Sequence, residues 1–543
     1  MSETAASAAP EPADSKPIPP AGAAAVAVEN KDHVSLATWF TVFGSVIGAF
    51  IAVLNIMITN ASLKDIQGAL GATLEEGSFI STAYLTAEVV VIPLTGWFAM
   101  VFGLRRFMLS ASTMFIGATL LCALAWNLES MLVFRAIAGL AGGTFIPLSF
   151  AVILTLLPPS KQPIGIAMFS LTATQAPAIG PALGGYLTEA FGWQSIFYLQ
   201  IIPTSIMFTI LWWGLARSQS KLQLLKNGDW LGIASLSIAL GAMIITLEEG
   251  NRKDWFESEF IQRGAAIALV FFVIFLYRQL RGANPFINVR LLKRWNFGLA
   301  NIIGVILGLG LYGSVFITPL YLAQVQGYNA WQTGVTMMWF GFPQLIMVPL
   351  IVRLMKTVDL RHLVAIGCAI FAWSLLININ MSADSAYDQL RLANFIRGIG
   401  QPFLSVPLAV IATVGIEPAQ VGSASGLYNL TRNLGGSVGI AFLATFLTIR
   451  EHFHSNHVVE GISLYSHATV ERLEGLQSYF IGLGADPVLA GERALRVIDA
   501  IARRESLILA YNDCFYFMGA AFVVGFVLTY MLKSYRAPTA PAK

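Results

Sequence analysis

Residues 174–185 read TQAPAIGPALGG, and set Pro177, Gly180, Pro181, Gly184 and Gly185 inside a long apolar segment. In water so dense a run of prolines and glycines breaks a helix. In lipid the balance reverses, because an unpaired backbone amide there costs several kcal/mol and the chain stays helical to avoid it. The glycines then let a neighbouring helix approach closely, and the prolines set a fixed bend. Two uses fit such a segment: a static packing seam, or a hinge between helical bundles that move against each other.

The surrounding chain supplies the membrane that this reading needs. Of 543 residues 56% are apolar and only 12% charged, with a mean hydropathy of +0.68, which excludes a soluble globular protein. The apolar residues come in runs of about 20, the length that crosses a ~30 Å hydrocarbon core as helix. Runs bounded by charges or turn residues number fourteen: 36–63, 78–99, 107–126, 131–157, 164–187, 195–216, 230–247, 264–280, 297–322, 332–355, 362–382, 392–415, 423–449 and 507–532. A net charge of only +3 gives no reason to expect a nucleic-acid partner. Cys122, Cys368 and Cys514 sit in apolar runs at unrelated spacings, so neither disulfides nor a metal knuckle is expected. Residues 1–30 are polar and Ala/Pro-rich, and are expected to form a disordered tail rather than a cleavable signal.

Lysine and arginine in short loops orient the spans. Loops around 105, 161, 217–226, 278–294 and 353–361 hold fourteen of them, against Lys64, Arg252, Lys253, Arg263 and Arg391 on the other side. The first side is therefore expected in the cytoplasm, with both termini. An internal repeat is also visible. Pro93 to Arg105 recurs as Pro349 to Arg361, and Gly165, Ala167 and Thr174 recur as Gly422, Ala424 and Thr431. Parallel repetition of this kind suits two six-helix halves related by an axis along the membrane normal. The expected organisation is a tail at 1–30, an N-terminal bundle at 36–216, two inserted spans at 229–281, a C-terminal bundle at 297–532 and a cytoplasmic tail at 533–543. Within the second bundle an outer loop at 450–506 has apolar residues on one helical face: Val470, Leu473, Leu476 and Phe480, then Val488, Leu495, Ile498 and Ala502. Short amphipathic helices lying on the protein or membrane surface are expected there.

Ionisable groups inside a membrane are functional candidates by default. Glu88 lies ten residues past Ser78, about 15 Å along a helix and so near mid-bilayer. Burial in a low-dielectric cavity favours the neutral form of a carboxylate, which suits a group that loads and releases a proton. Glu88 is the candidate proton carrier, against the alternative of an acid that only accepts hydrogen bonds in a seam. Arg135, near the outer end of span 4, needs a partner that Glu88 or Asn55 can supply. Arg397, Arg432 and Asp513 are the other intramembrane charges. Cavity candidates are the amides Asn55, Gln175, Gln344, Gln401 and Asn429, with Arg432, and the aromatics Trp339 and Phe340 as a wall for lipophilic cargo. Taken singly, each reads more readily as a helix-packing group than as a ligand contact.

The sequence also narrows the class by what it lacks. It contains no Gly-Lys pair, hence no Walker A loop, and no catalytic cluster of acids at a membrane face. No lysine occurs between 65 and 160 or between 357 and 532, unlike the lysine chains of fourteen-span respiratory proton pumps. His452, His454 and His457 have metal-like spacing, but read as solvated loop histidines. No cofactor is expected.

Gly180-Pro181, Gly184-Gly185 and Trp193 resemble the fifth-helix antiporter motif of the major facilitator superfamily. Nearly the whole chain is similar to its fourteen-span drug:proton antiporters of the EmrB/QacA type. LNIMITNASL at 54–63 resembles the span 1 signature, IPLTGWFAMVFGLRR at 92–106 the loop motif after span 2, and Arg135 with Gly139 the arginine motif. Asp229-Trp230-Leu231-Gly232 looks like the start of the inserted pair, and LYNLTRNLGGSVGIA at 427–441 like the penultimate-helix signature. Three positions depart from the pattern: Asn55 replaces the usual coupling aspartate, Met100 the usual acid of the loop motif, and Ala138 the usual glutamine. Asparagine exchanges no proton near pH 7, so coupling falls to Glu88 or another route. The resemblance implies an all-α integral membrane protein of the major facilitator fold, two six-helix bundles plus two inserted helices. It implies proton-driven export of lipophilic or amphiphilic drugs across the inner membrane by alternating access, not catalysis. In a cell with an outer membrane it also implies a periplasmic adaptor and an outer-membrane channel. A narrow exporter of a fatty acid or metabolite, and a non-transporting membrane sensor, are the alternatives.

Overall fold

The computed structural model describes residues 34–534 except 159, 218–219, 227, 282–286, 418–419 and 464. The tail expected at 1–30 and most of that at 533–543 lie outside the described residues. Fourteen long helices dominate: α1 (Leu36–Ala61), α2 (Leu74–Val91, continuing through a 3-10 turn at Ile92–Leu94 into Thr95–Phe102), α3 (Leu104–Ala123), α4 (Leu128–Leu156), α5 (Gln162–Phe191), α6 (Ser195–Gly214), α7 (Trp230–Gly250), α8 (Glu259–Arg281), α9 (Trp295–Gln324), α10 (Ala330–Leu354), α11 (Leu360–Leu376), α12 (Tyr387–Thr413), α13 (Val421–Glu460) and α14 (Pro487–Thr529). Thirteen are apolar and long enough to cross a membrane among the described residues. The remaining one, α5, carries the Pro/Gly stretch and is a continuous helix of 30 residues.

Helix starts follow their sequence signals. Thr73 with Glu76, Asn127 with Ser130, and Asn329 with Gln332 form capping boxes before α2, α4 and α10, all at ends expected to face outward. The backbone bond and hydroxyl of Thr73 hold the exposed Glu76 carboxyl below its ordinary range. Asp229 caps α7 and also accepts from Arg278 Nη2 (2.7 Å) and Gln279 Nε2 (3.0 Å), which pins the inserted pair together at one end.

The internal repeat explains how the halves meet. Inside the first half α1 packs on α4, α5 and α6, and α2 on α4; inside the second, α9 packs on α12, α13 and α14. Between the halves α5 packs on α10 and α2 packs on α13. By the repeat, α10 is the counterpart of α2 and α13 that of α5, so the two contacts are one self-complementary contact made twice about a pseudo-twofold axis. Inserted α7 lies against α2 and α13, and Trp255 Nε1, just past its end, donates to Thr445 Oγ1 at 2.8 Å.

One surface feature differs from the sequence reading. Residues 488–502 are not a separate surface helix, because Pro487–Thr529 is a single helix of 43 residues. Its partner α13 runs 40 residues to Glu460. At 1.5 Å per residue these rise about 65 and 60 Å, twice the hydrocarbon thickness. Between them stands one further helix, His467–Gly482, packed on α14. The polar stretch Glu492–Glu505 bounds the apolar run, but it contains no helix breaker, so hydropathy ended the span where the helix continues.

Candidate functional site

The antiporter-like stretch is built with two faces. On one, a Cβ added at Gly180 would stand 2.5 Å from Met57 Cβ, and one at Gly184 would stand 2.9 Å from the Ile58 carbonyl oxygen. These glycines therefore seat α5 on α1, within the first half. Gly435 and Gly439, each 255 residues further on, seat α13 on α9 in the same way, against Val305 and Leu309. On the opposite face of α5 the close approach to the other half is provided by glycines of α10. Gly334 meets Ala182, and Gly341 meets the Gln175 side chain. The seam continues inward, where Ser170 and Ser405 hydroxyls bond at 2.6 Å and Gln401 Nε2 donates to Ser170 Oγ at 3.5 Å. Pro177 is buried, and Pro181 and Gly185 are half-buried.

Arg135 is fully buried, and Asn55 is its partner: Nη1 donates to Asn55 Oδ1, and Nε to the Ile80 carbonyl at 3.2 Å. Its guanidinium lies 4.5 Å from the centre of the Tyr84 ring, whose hydroxyl donates to the Ala52 carbonyl. Asn55 Nδ2 in turn donates to Gln200 Oε1, and Gln200 Nε2 to the Ile196 carbonyl. Neutral acceptors thus hold this arginine, and its Nη2 has no hydrogen-bond partner among the described residues.

Glu88 is 4% exposed, one turn along α2 from Tyr84. Gly143 of α4 presses on its backbone, since a Cβ there would come within 2.7 Å of the Glu88 carbonyl. Glu88 Oε2 has no partner among the described residues. Its neighbour one turn back, Tyr84, carries the Arg135 guanidinium over its ring, so the acid and the arginine share one buried neighbourhood of the first half. Buried carboxylates elsewhere among the described residues sit at helix ends: Asp229 and Asp359 as caps, Glu249 next to the last residue of α7. Glu88 is a buried carboxylate that lies well inside a membrane span, one turn before the 3-10 turn at Ile92–Leu94.

The sequence chosen cavity residues divide. Asn429 and Arg432 lie on α13, with Asn429 Oδ1 and Arg432 Nε unpartnered and Arg432 in electrostatic range of Tyr312. Gln175 and Gln401 lie on the α5 seam. Gln344 is buried and donates to the Phe340 carbonyl at 2.8 Å. Trp339 faces α12, where it bonds the Tyr387 hydroxyl and packs on Phe395, and Phe340 is fully buried, with its backbone carbonyl against Gly398 of α12. The three histidines read as loop residues lie on α13, and His454 there is partly buried and pairs with Asp513, which also holds Arg450; no His/Cys/Asp/Glu metal cluster occurs among the described residues.

Residues 45–440 match the Major Facilitator Superfamily. The chain belongs to that superfamily. It is 31% identical over 506 residues to a colistin resistance protein, EmrB, of Acinetobacter baumannii, covering 93% of this chain and 98% of that one. It is 28% identical over 494 residues to the multidrug export protein EmrB of Escherichia coli K12, covering 90% and 94%. Among solved structures it resembles the superfamily's proton:xylose symporter XylE, with a TM-score of 0.57 at 14% identity over 93% and 98% of the two chains. At that identity the likeness speaks for the fold.

Sequence reasoning missed several parts of this arrangement. Gln200 is an amide in an apolar span, the same signal that singled out Asn55. Tyr84 stands four residues before Glu88, one turn away on the same helix face. Gly139, Gly142 and Gly143 form a small-residue stripe of the kind noticed only in α5; they admit the Tyr84 carbonyl, the Tyr84 hydroxyl and the Glu88 backbone.

Proposed function

We propose that the protein exports lipophilic and amphiphilic compounds, drugs among them, across the inner membrane, with proton entry driving the cycle. The observation that carries this reading is Glu88: a buried carboxylate with an unpartnered oxygen inside a membrane span, one helical turn from the Tyr84 ring that the Arg135 guanidinium lies over. A carboxylate so placed takes up a proton where the seam is dry and gives it up where water enters, so protonation biases one arrangement of the halves over the other. Arg135, held by Asn55, Tyr84 and Ile80, provides a fixed positive charge against which that change is felt. Asn55 then serves as a positioning residue in place of an acid. Cargo occupies the space between the halves, near the polar atoms of Asn429, Arg432, Gln175 and Gln401.

The halves rock about the paired α5–α10 and α2–α13 contacts, with both termini in the cytoplasm. In a cell with an outer membrane, the projection formed by α13, the helix His467–Gly482 and α14 docks a periplasmic adaptor leading to an outer-membrane channel. Its length and its exposed Val459, Tyr479, Val488 and Leu495 support that role. The reading is tested by dye movement into energised inverted vesicles. Wild type is expected to accumulate dye, collapse of the proton gradient to abolish it, and Glu88→Gln to behave like the collapsed state. Gradient-independent movement in wild type would count against proton drive.

A further inference from the structure

Arg397 of α12 is the second-half counterpart of Arg135 by helix order, but its surroundings differ. It is 1% exposed and lies ten residues, about 15 Å, from the start of α12. Its Nε and Nη2 have no hydrogen-bond partner, and among the described residues no charged group acts on it and no ion pair includes it. An unpaired guanidinium in hydrocarbon is costly, so it marks a place where something negative belongs at some stage of the cycle.

The neighbours say where that place is. Asn394, Arg397, Gln401 and Ser405 recur every three to four residues and form one polar stripe along α12. Asn394 Nδ2 donates to the Thr336 carbonyl of α10, whereas Gln401 and Ser405 meet Ser170 of α5. Arg397 lies between them, at the junction of α5, α10 and α12, on the seam between the halves. Asn394 Oδ1, Gln401 Oε1 and Gln175 Nε2 there are also buried and unpartnered. The free Nε and Nη2 are the side edge of the guanidinium, which grips a carboxylate or sulfonate with two parallel bonds.

We propose that Arg397 receives the anionic head of an amphiphilic cargo, with Gln175 as a further donor. This rests on the export reading and adds a substrate class to it: single-chain amphiphiles with one negative charge. The source is cargo and not bilayer phospholipid, whose headgroups lie at the membrane surface and not at this depth.

The test uses the purified full-length protein in non-ionic detergent and two probes with permanent charge and equal tails, decanesulfonate and decyltrimethylammonium. Wild type is expected to bind decanesulfonate more tightly. Arg397→Gln is expected to weaken decanesulfonate roughly tenfold to a hundredfold while the cation binds as before or better, and Arg397→Lys to recover part of the loss. Equal losses for both probes, or absence of a headgroup preference in wild type, would overturn the proposal. The wild-type comparison stands even where Arg397→Gln folds poorly. Displacement of decanesulfonate by phosphatidylglycerol would reassign the arginine to lipid and also overturn it. Dye efflux in vesicles is a separate readout: efflux with no anion preference removes the role of Arg397 and leaves export standing.

Discussion

Gly334→Val tests the hinge. In the structure a Cβ at 334 would stand 3.2 Å from Ala182 Cα and 3.3 Å from its backbone nitrogen, and closer still to its Cβ. Ordinary carbon contacts lie at about 3.5–4.0 Å. Alanine has no rotamer with which to withdraw, so α5 and α10 must part at their outer ends. Overpacking of this kind costs about 1–3 kcal/mol. The cost falls only on arrangements in which the outer ends touch, so the equilibrium shifts by about 5- to 150-fold toward those in which they are apart. Spin labels at Trp126 in the first half and Asp384 in the second, both exposed, report the distance by electron–electron resonance. The native cysteines are all buried and do not compete for label. The expected result is a longer, outward-shifted distance distribution and slow dye efflux, with each half still folded. An unchanged distribution with normal efflux would refute the hinge at this contact.

Other substitutions separate packing from coupling. Gly184→Val presses on the Ile58 backbone inside the first half, and is expected to lower thermal stability by about 1–3 kcal/mol without moving the Trp126–Asp384 distance; a shifted distance would show that α5 glycines belong to the moving seam. Asn55→Asp puts a carboxylate against Arg135, where the cation favours its charged form. Glu88→Gln/Asn55→Asp is therefore expected to remain uncoupled in vesicles, and restored proton-driven efflux would show that position 55 suffices.

Much of the fold was legible because its determinants are local in sequence. Span length is read from neighbouring residues and the 256-residue repeat from setting the chain against itself, and together they lead to paired halves with an insert. What local reading lacked was facing. Gly180 and Gly184 look like the material of a moving joint, yet a Cβ on either would meet α1, and the close approach of α5 to the other half comes from Gly334 and Gly341 in another helix. Trp339 stands out by residue type, but the sequence does not show that its ring packs on Phe395 of α12. Asn55 and Arg135 were legible as a pair because both lie at the same depth of adjacent spans. Gln200 completes their bonds from a third helix, 145 residues after Asn55, which no sequence spacing reveals.

The central claim is that Glu88 exchanges a proton as cargo enters the seam. Proton release on adding cargo to the purified protein in weakly buffered solution measures this directly. Wild type is expected to release protons in proportion to bound cargo and Glu88→Gln, still binding cargo, to release none. Equal release from both proteins would contradict the account.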